Sequence, residues 1–237
     1  MSKEFKLSTC LYGHSMDIRS LAVSSTNDII SGSRDRTAKY WKYNPLQKTY
    51  CDVMTYKNHE NFVGSVLYLE PNKEFPDGLV VTGGYDHVIF AYKPGEPFPT
   101  HTFKGEHTNT VCCLSKGKDA NSFLSASWDM TAKYWHLNNS TKKSIVTFSG
   151  HEAAVWHVKQ LNDNRIVTAS ADKTIGVWAS NGQRLNTLKG HTDAVRSLED
   201  FPELQYFISV SNDASIKLWS YSGGEYRYIL WAYKLYL

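Results

Sequence analysis

A hydroxyl, an imidazole and a carboxylate recur together five times in this chain. The carboxylates are Asp35, Asp86, Asp129, Asp172 and Asp213, each with a Ser or Thr four residues earlier (Ser31, Thr82, Ser125, Thr168, Ser209) and a His upstream (His14, His59, His107, His151, His191). Side by side these three groups form the acyl-transfer triad, in which the imidazole takes a proton from the hydroxyl and the carboxylate orients the imidazole. Copy number argues against that chemistry. Catalysis needs one set in one pocket, and the chain has no Gly-x-Ser-x-Gly elbow to present a nucleophilic serine. A fourth member is equally regular: six residues after each Asp stands an aromatic, Trp41, Tyr92, Trp135, Trp178 or Trp219. Four residue types at fixed spacing in every copy describe a structural unit.

The spacing also says which elements must hold these groups. In the fourth unit Gly150-His151 opens, an alternating run Ala154 to Val158 follows, then Arg165 to Ser170, a turn at Asp172-Lys173, and Thr174 to Trp178. Short β-branched and aromatic runs between Asp, Asn and Gly turns read as an antiparallel meander. The Asp-to-aromatic distance is constant because turn and strand form one rigid element. A period of 40 to 51 residues with Gly-His early and Trp late resembles the WD40 signature, whose repeats each supply a four-stranded blade of a β-propeller. The expected fold is therefore all-β, a WD40 β-propeller with five recognisable blades of a seven-bladed ring, incomplete. The expected blades are 12–56, 57–104, 105–148, 149–188 and 189–230, with an outer strand over 1–11 and a divergent tail over 231–237. The resemblance implies a buried row in each blade: indole N–H to hydroxyl, hydroxyl to imidazole, imidazole N–H to carboxylate. Tyr92 cannot copy the indole geometry, so blade two is expected to be the loosest. None of the row tryptophans Trp41, Trp135, Trp178 and Trp219 is followed by Asp, a tolerant position of the repeat. Blade two carries the largest insertion, Glu70 to Gly78, between its first and second strands.

At 237 residues the repeats fill the chain, and a net charge of +3 without a basic block gives no nucleic-acid footprint. No apolar stretch reaches membrane-spanning length and no signal core opens the chain, so cytoplasm and nucleus are the expected compartments. Cys10, Cys51, Cys112 and Cys113 lack disulfide or zinc spacing and are expected to be reduced and mostly packed. Asn139-Ser140-Thr141 fits a glycosylation sequon only by pattern. No metal and no cofactor are expected.

Motifs beyond the generic repeat narrow the reading. His59-Glu60-Asn61-Phe62-Val63, Pro76-Asp77-Gly78-Leu79 and Thr82-Gly83-Gly84-Tyr85-Asp86-His87, with Asp17-Ile18-Arg19, Ser33-Arg34-Asp35-Arg36-Thr37, Ser127-Trp128-Asp129, Ala153-Ala154-Val155-Trp156 and Ser211-Asn212-Asp213, resemble the N-terminal propeller of the phospholipase A2-activating protein family over residues 5 to about 228. The resemblance implies a ubiquitin-binding, non-catalytic propeller in ubiquitin homeostasis and ubiquitin-dependent protein catabolism. In the family a seven-bladed propeller precedes a second ubiquitin-binding domain and a domain that docks an AAA+ unfoldase. After Tyr226 the family pattern ends in this chain, which reads as a truncated isoform, gene model or fragment. Phe5 to Leu11 is then an outer strand without its own blade, and Glu225 to Trp231 is the expected outer strand of blade five.

On such propellers the Gly-His loops and Asp turns share one face, so their neighbours should meet a partner. That selects Asp17, Arg19 and Arg34; Phe62 and Tyr85; Thr110, Cys112 and Trp128; Trp156; and Arg196 and Asn212. Trp128 and Trp156 are expected to be exposed, since the pleat turns both away from the blade core, and Trp with Arg is the composition of an interface hot spot. Under the resemblance this face meets the apolar patch of ubiquitin. The alternative is a general peptide reader or scaffold, with Tyr85, Trp128 and Trp156 forming an aromatic cage for a methylated lysine.

Overall fold

The computed structural model describes residues 8–222 and the backbone of 227–229. Within them the strands form five four-stranded antiparallel sheets, each a meander in chain order. Blade one holds β1 (Ile18–Val23), β2 (Ile29–Ser33), β3 (Ala38–Asn44) and β4 (Thr49–Tyr56); blade two β5 (Val63–Leu69), β6 (Leu79–Gly84), β7 (Ile89–Tyr92) and β8 (His101–Phe103). Blade three holds β9 (Val111–Lys116), β10 (Ser122–Ser127), β11 (Ala132–His136) and β12 (Val146–Phe148). Blade four holds β13 (Val155–Gln160), β14 (Ile166–Ser170), β15 (Ile175–Trp178) and β16 (Arg184–Leu188); blade five β17 (Val195–Phe201), β18 (Tyr206–Ser211), β19 (Ile216–Ser220) and β20 (Arg227–Ile229).

The core lies between blades. Four apolar clusters sit at the four successive blade interfaces, for example Ile30 and Tyr40 of blade one with Val63 and Val66 of blade two. In blades one to four the residue after the row hydroxyl must be small, because the next blade's first strand presses on it. A Cβ on Gly32 would lie 2.9 Å from the Cγ1 atoms of Val63 and Val66, and one on Gly83 would lie 2.7 Å from Val111 Cγ1. Ala126 and Ala169 hold the same place in blades three and four. The blade-two insertion is a strap: Glu70 accepts from Ser25 Oγ of blade one (2.8 Å) and Lys116 Nζ of blade three (2.9 Å), and Glu74 accepts from Asn121 and Asn138 Nδ2 (2.8 and 2.7 Å).

Three expectations need correction. Residues 8–11 of the expected outer strand are not strand, since the sheets of the described residues leave no third strand of a preceding blade for them to pair with; residues 1–7, like the divergent tail, lie outside the described residues. Blade two is not loosened in its packing: β6 and β7 are buried throughout, and Tyr92 is fully buried with its ring 4.4 Å from that of Tyr56. Packing on both flanking blades replaces what the row loses. All four cysteines are free, but Cys10 and Cys51 are exposed; Cys51 lies on the blade's outer strand β4, where no neighbouring blade covers it.

Candidate functional site

In four blades the row is complete. The indole N–H of Trp41, Trp135, Trp178 and Trp219 donates to Ser31, Ser125, Thr168 and Ser209 at 2.7–2.8 Å. The hydroxyl faces Nε2 of His14, His107, His151 or His191 at 2.7 Å, and Nδ1 of the same ring donates to Asp35, Asp129, Asp172 or Asp213 at 2.6–2.8 Å. Each carboxylate also takes two bonds from the residue two places on, as Thr131 N–H (3.0 Å) and Oγ1–H (2.6 Å) to Asp129. Burial alone would raise the Asp35 carboxyl, yet the bonds from Thr37 and His14 hold it at about 2. Asp129, Asp172 and Asp213 are driven lower still by the same bonds against the same burial. His107 and His191 are pushed down by burial despite their aspartates, which keeps the rings neutral. Every hydroxyl in these four rows is bonded to an indole and an imidazole and is buried away from the surface.

Blade two differs at three places. The Tyr92 hydroxyl is buried without a hydrogen-bond partner, the Ser found two residues before Asp in the other blades is Gly84, and the Thr or Ser two residues after it is Val88. His59 Nδ1 sits 2.9 Å from both oxygens of Asp86. A Cβ on Gly84 would fall 2.3 Å from that nitrogen, so the glycine is what admits the ring.

The rows anchor a repeated surface. In every blade the residue before the row Asp donates its N–H to the carbonyl of the residue three after the row His: Arg34 to Asp17, Tyr85 to Phe62, Trp128 to Thr110, Ala171 to Ala154 and Asn212 to Ala194, at 2.9–3.0 Å. Two residues further along, the first strand carries a bulge in each blade, at Arg19, Gly64, Cys112, Trp156 and Arg196. A bulge re-aims its side chain out of the pleat, and it explains the direction of Trp156 better than strand alternation does. The bulge always falls five residues after the row His, a signal present in the sequence and not used.

From these positions one continuous row of rings crosses blades two to four, flanked by an arginine from blade one and another from blade five. Arg34 stacks over Phe62 (5.7 Å), Phe62 meets Tyr85 (5.6 Å), Tyr85 meets Trp128 (5.5 Å), Trp128 packs edge-to-face on Trp156 (5.4 Å), and Arg196 lies over Trp156 at 4.2 Å. Asp17 accepts from Arg34 (3.1 Å) and Asn212 from Arg196 Nε (3.1 Å). Arg19 is exposed at the blade-one bulge, outside the row. Trp128 and Trp156 are half-buried rather than exposed, because each ring packs on the next, and both indole N–H groups are buried without an acceptor. Tyr85, Trp128 and Trp156 contact one another instead of surrounding an opening, so the methyl-lysine cage expected there is not formed. Thr110 is buried, and the half-buried Cys112 thiol is turned inward to the Val155 carbonyl (3.1 Å), its titration pushed up by burial.

Five four-stranded blades, each stapled by a His–Ser/Thr–Asp row and presenting a ring of aromatics and arginines on the turn face, define a WD-repeat β-propeller module. The chain belongs to the family described as WD domain, G-beta repeat, which matches residues 5–42, 98–136, 142–179 and 182–220, and within it to the group that includes the phospholipase A2-activating protein. The unmatched stretch 43–97 contains the first three strands of blade two, with Gly84, Val88 and Tyr92. Phospholipase A-2-activating protein of Xenopus laevis is 39% identical over 160 residues, covering 66% of this chain and 19% of that protein. The ubiquitin fusion degradation protein 3 homolog of Caenorhabditis elegans is 32% identical over 224 residues, covering 91% of this chain and 25% of its own length. The crystal structure of the WD40 beta propeller domain of Doa1 superposes with a TM-score of 0.76 at 33% identity, covering 91% of this chain and 69% of that one. The chain thus spans a quarter or less of the two sequence relatives. Among the described residues no helix is long and apolar enough to cross a membrane.

Proposed function

We propose that this propeller is a non-catalytic ubiquitin-binding module serving ubiquitin homeostasis and ubiquitin-dependent protein catabolism. The observation that carries the reading is the Arg34–Phe62–Tyr85–Trp128–Trp156–Arg196 row. Preorganised Trp, Tyr and Arg side chains on one face are the composition of a binding hot spot, and rings that already hold one another lose little entropy on docking. The name of the nematode relative supports ubiquitin as the partner. The binding role also accords with the hydroxyls of the four complete rows being tied into hydrogen bonds. An AAA+ unfoldase would be reached through other domains of the longer relatives. Calorimetric titration with ubiquitin tests the reading: Trp128→Ala and Trp156→Ala should each weaken binding by about 2 kcal/mol, roughly thirtyfold. Unchanged affinity in both variants, with melting intact, would remove this face as the ubiquitin site.

A further inference from the structure

The face opposite the aromatic row carries a cleft of about 730 Å³ between blades one and two. In a meander the connections alternate ends, so the β1–β2, β3–β4, β5–β6 and β7–β8 connections emerge together, away from the Asp turns of the rows. Those four connections wall the cleft, which gives the blade-two insertion, through Pro71, Pro76 and Asp77, a role beyond strapping.

Asp28 lies in this lining and is 5% exposed. Its carboxylate accepts from Tyr40 Oη–H (2.6 Å), Thr26 Oγ1–H (3.0 Å) and Tyr43 N–H (2.9 Å). All three donors are neutral, and the lysine and arginine ion pairs of the described residues lie elsewhere. Those hydrogen bonds hold the carboxylate in place but do not cancel its charge, which acts on the cleft beside it. Tyr40, Tyr43 and Tyr68 line the same cleft. The Tyr68 phenol is pushed up to about 12 by burial and then by Glu70, Asp28 and Asp77, so acids set the field at that wall. Lys42, exposed in the lining, is the only cationic side chain there.

We propose that this cleft binds an alkylated ammonium group, such as a methylated lysine side chain. The half-buried Tyr43 can offer its ring quadrupole to such a cation, Asp28 and the exposed Asp77 supply charge, and proline walls suit its methyl groups. An anion is repelled by the same carboxylates. A hard metal ion needs several free oxygens, and the oxygens of Asp28 already hold three donors.

The test uses the full chain at neutral pH, titrated by calorimetry and by tyrosine ring NMR with choline and with the uncharged isostere of choline in which carbon replaces nitrogen. Choline should shift the Tyr40, Tyr43 and Tyr68 signals and bind at least about tenfold more tightly than the isostere. Asp28→Asn should lose at least about tenfold in choline affinity, Tyr43→Ala should bind more weakly, and Lys42→Gln, by removing the competing cation, should bind more tightly. That gain is something a destabilised fold does not mimic, so it carries the test if Asp28→Asn fails to fold. Equal binding of choline and isostere, or wild-type choline affinity in both Lys42→Gln and Tyr43→Ala, would overturn the proposal. Ubiquitin affinity is read in parallel and should not respond to choline, which separates this site from the aromatic face.

Discussion

Asp129 accepts from His107, from the Thr108 and Thr131 amides and from the Thr131 hydroxyl, whereas Asp86 accepts from His59 and from two amides, of Glu60 and Val88. Cutting either leaves buried donors unpaired, but the Asp129 row also holds an indole that the Asp86 row lacks. Asp129→Ala should therefore lower the melting temperature by about 2 to 12 °C, at roughly 1–3 kcal/mol for stranded polar groups, and Asp86→Ala by less. A melting series that places Asp86→Ala lower would mean that the Tyr92 blade leans on its aspartate more than its packing suggests. The same rows set the response to acid. The folded-state imidazoles of His107 and His191 are depressed below 6.5, so their contribution is complete above that value and falls as pH drops below it, when the unfolded chain takes up protons first. Protonation also leaves each row hydroxyl without an acceptor for its hydrogen. The aspartates are depressed below 3.8, so their contribution is complete above that pH and is lost as pH falls through the folded values, about 2 for Asp35. Melting against pH should show a plateau above neutrality, a first decline starting near 6.5 and a second below 3.8; a flat profile down to pH 4 would contradict the neutral-imidazole rows.

Strands and bulges separate binding from stability. Gly64 occupies the blade-two bulge, and a Cβ there would stand 2.8 Å from Tyr85 Cε1 and 3.2 Å from the Val111 carbonyl. The ring must turn, which breaks the aromatic row between Phe62 and Trp128. Gly64→Ala should weaken ubiquitin by about tenfold, the scale of 1.4 kcal/mol, with only a modest loss of melting temperature. Gly176 lies inside β15, where a Cβ would fall 2.6 Å from Trp178 Nε1 and 2.7 Å from Thr168 Oγ1. Gly176→Ala should do the reverse, lowering the melting temperature through the blade-four row while the folded protein keeps its affinity. Calorimetric titration beside thermal melts distinguishes the two, and identical behaviour of the variants would show that the face and the rows are not separable. Gly176 also stands where blades one, three and five have Lys39, Lys133 and Lys217; in blade four Arg184 from β16 covers the Trp178 ring instead, at 4.9 Å.

Among the described residues the blades form an arc whose blade-one end is uncovered. First strands pack in series, β1 on β5, β5 on β9, β9 on β13 and β13 on β17. Val63, Val111, Val155 and Val195 begin those strands fully buried, while Ile18, in the same place in blade one, is 51% exposed and Leu21 64%. No preceding blade covers them among the described residues. Apolar surface of this kind on strand faces promotes association. The 237-residue chain expressed alone should therefore show concentration-dependent association or early unfolding by light scattering after size exclusion, and Leu21→Lys should reduce the association. A compact monomer with a cooperative melt, unchanged by Leu21→Lys, would mean that the blade-one end is covered in some other way.

Repeat number, blade architecture and the members of each row were legible because they are local: four residue types at fixed offsets within one meander leave few other ways to bury a His beside an Asp. The family motifs gather on one face for the same reason, since turn residues next to a row Asp share its side. Exposure was not legible. Trp128 and Trp156 come from different blades, and only packing blade three against blade four lays one ring on the other and buries both N–H groups. The dense packing around Tyr92, the Asp28 cleft and the bare flank of β1 likewise depend on which blade lies beside which, a relation between distant residues that no local pattern records.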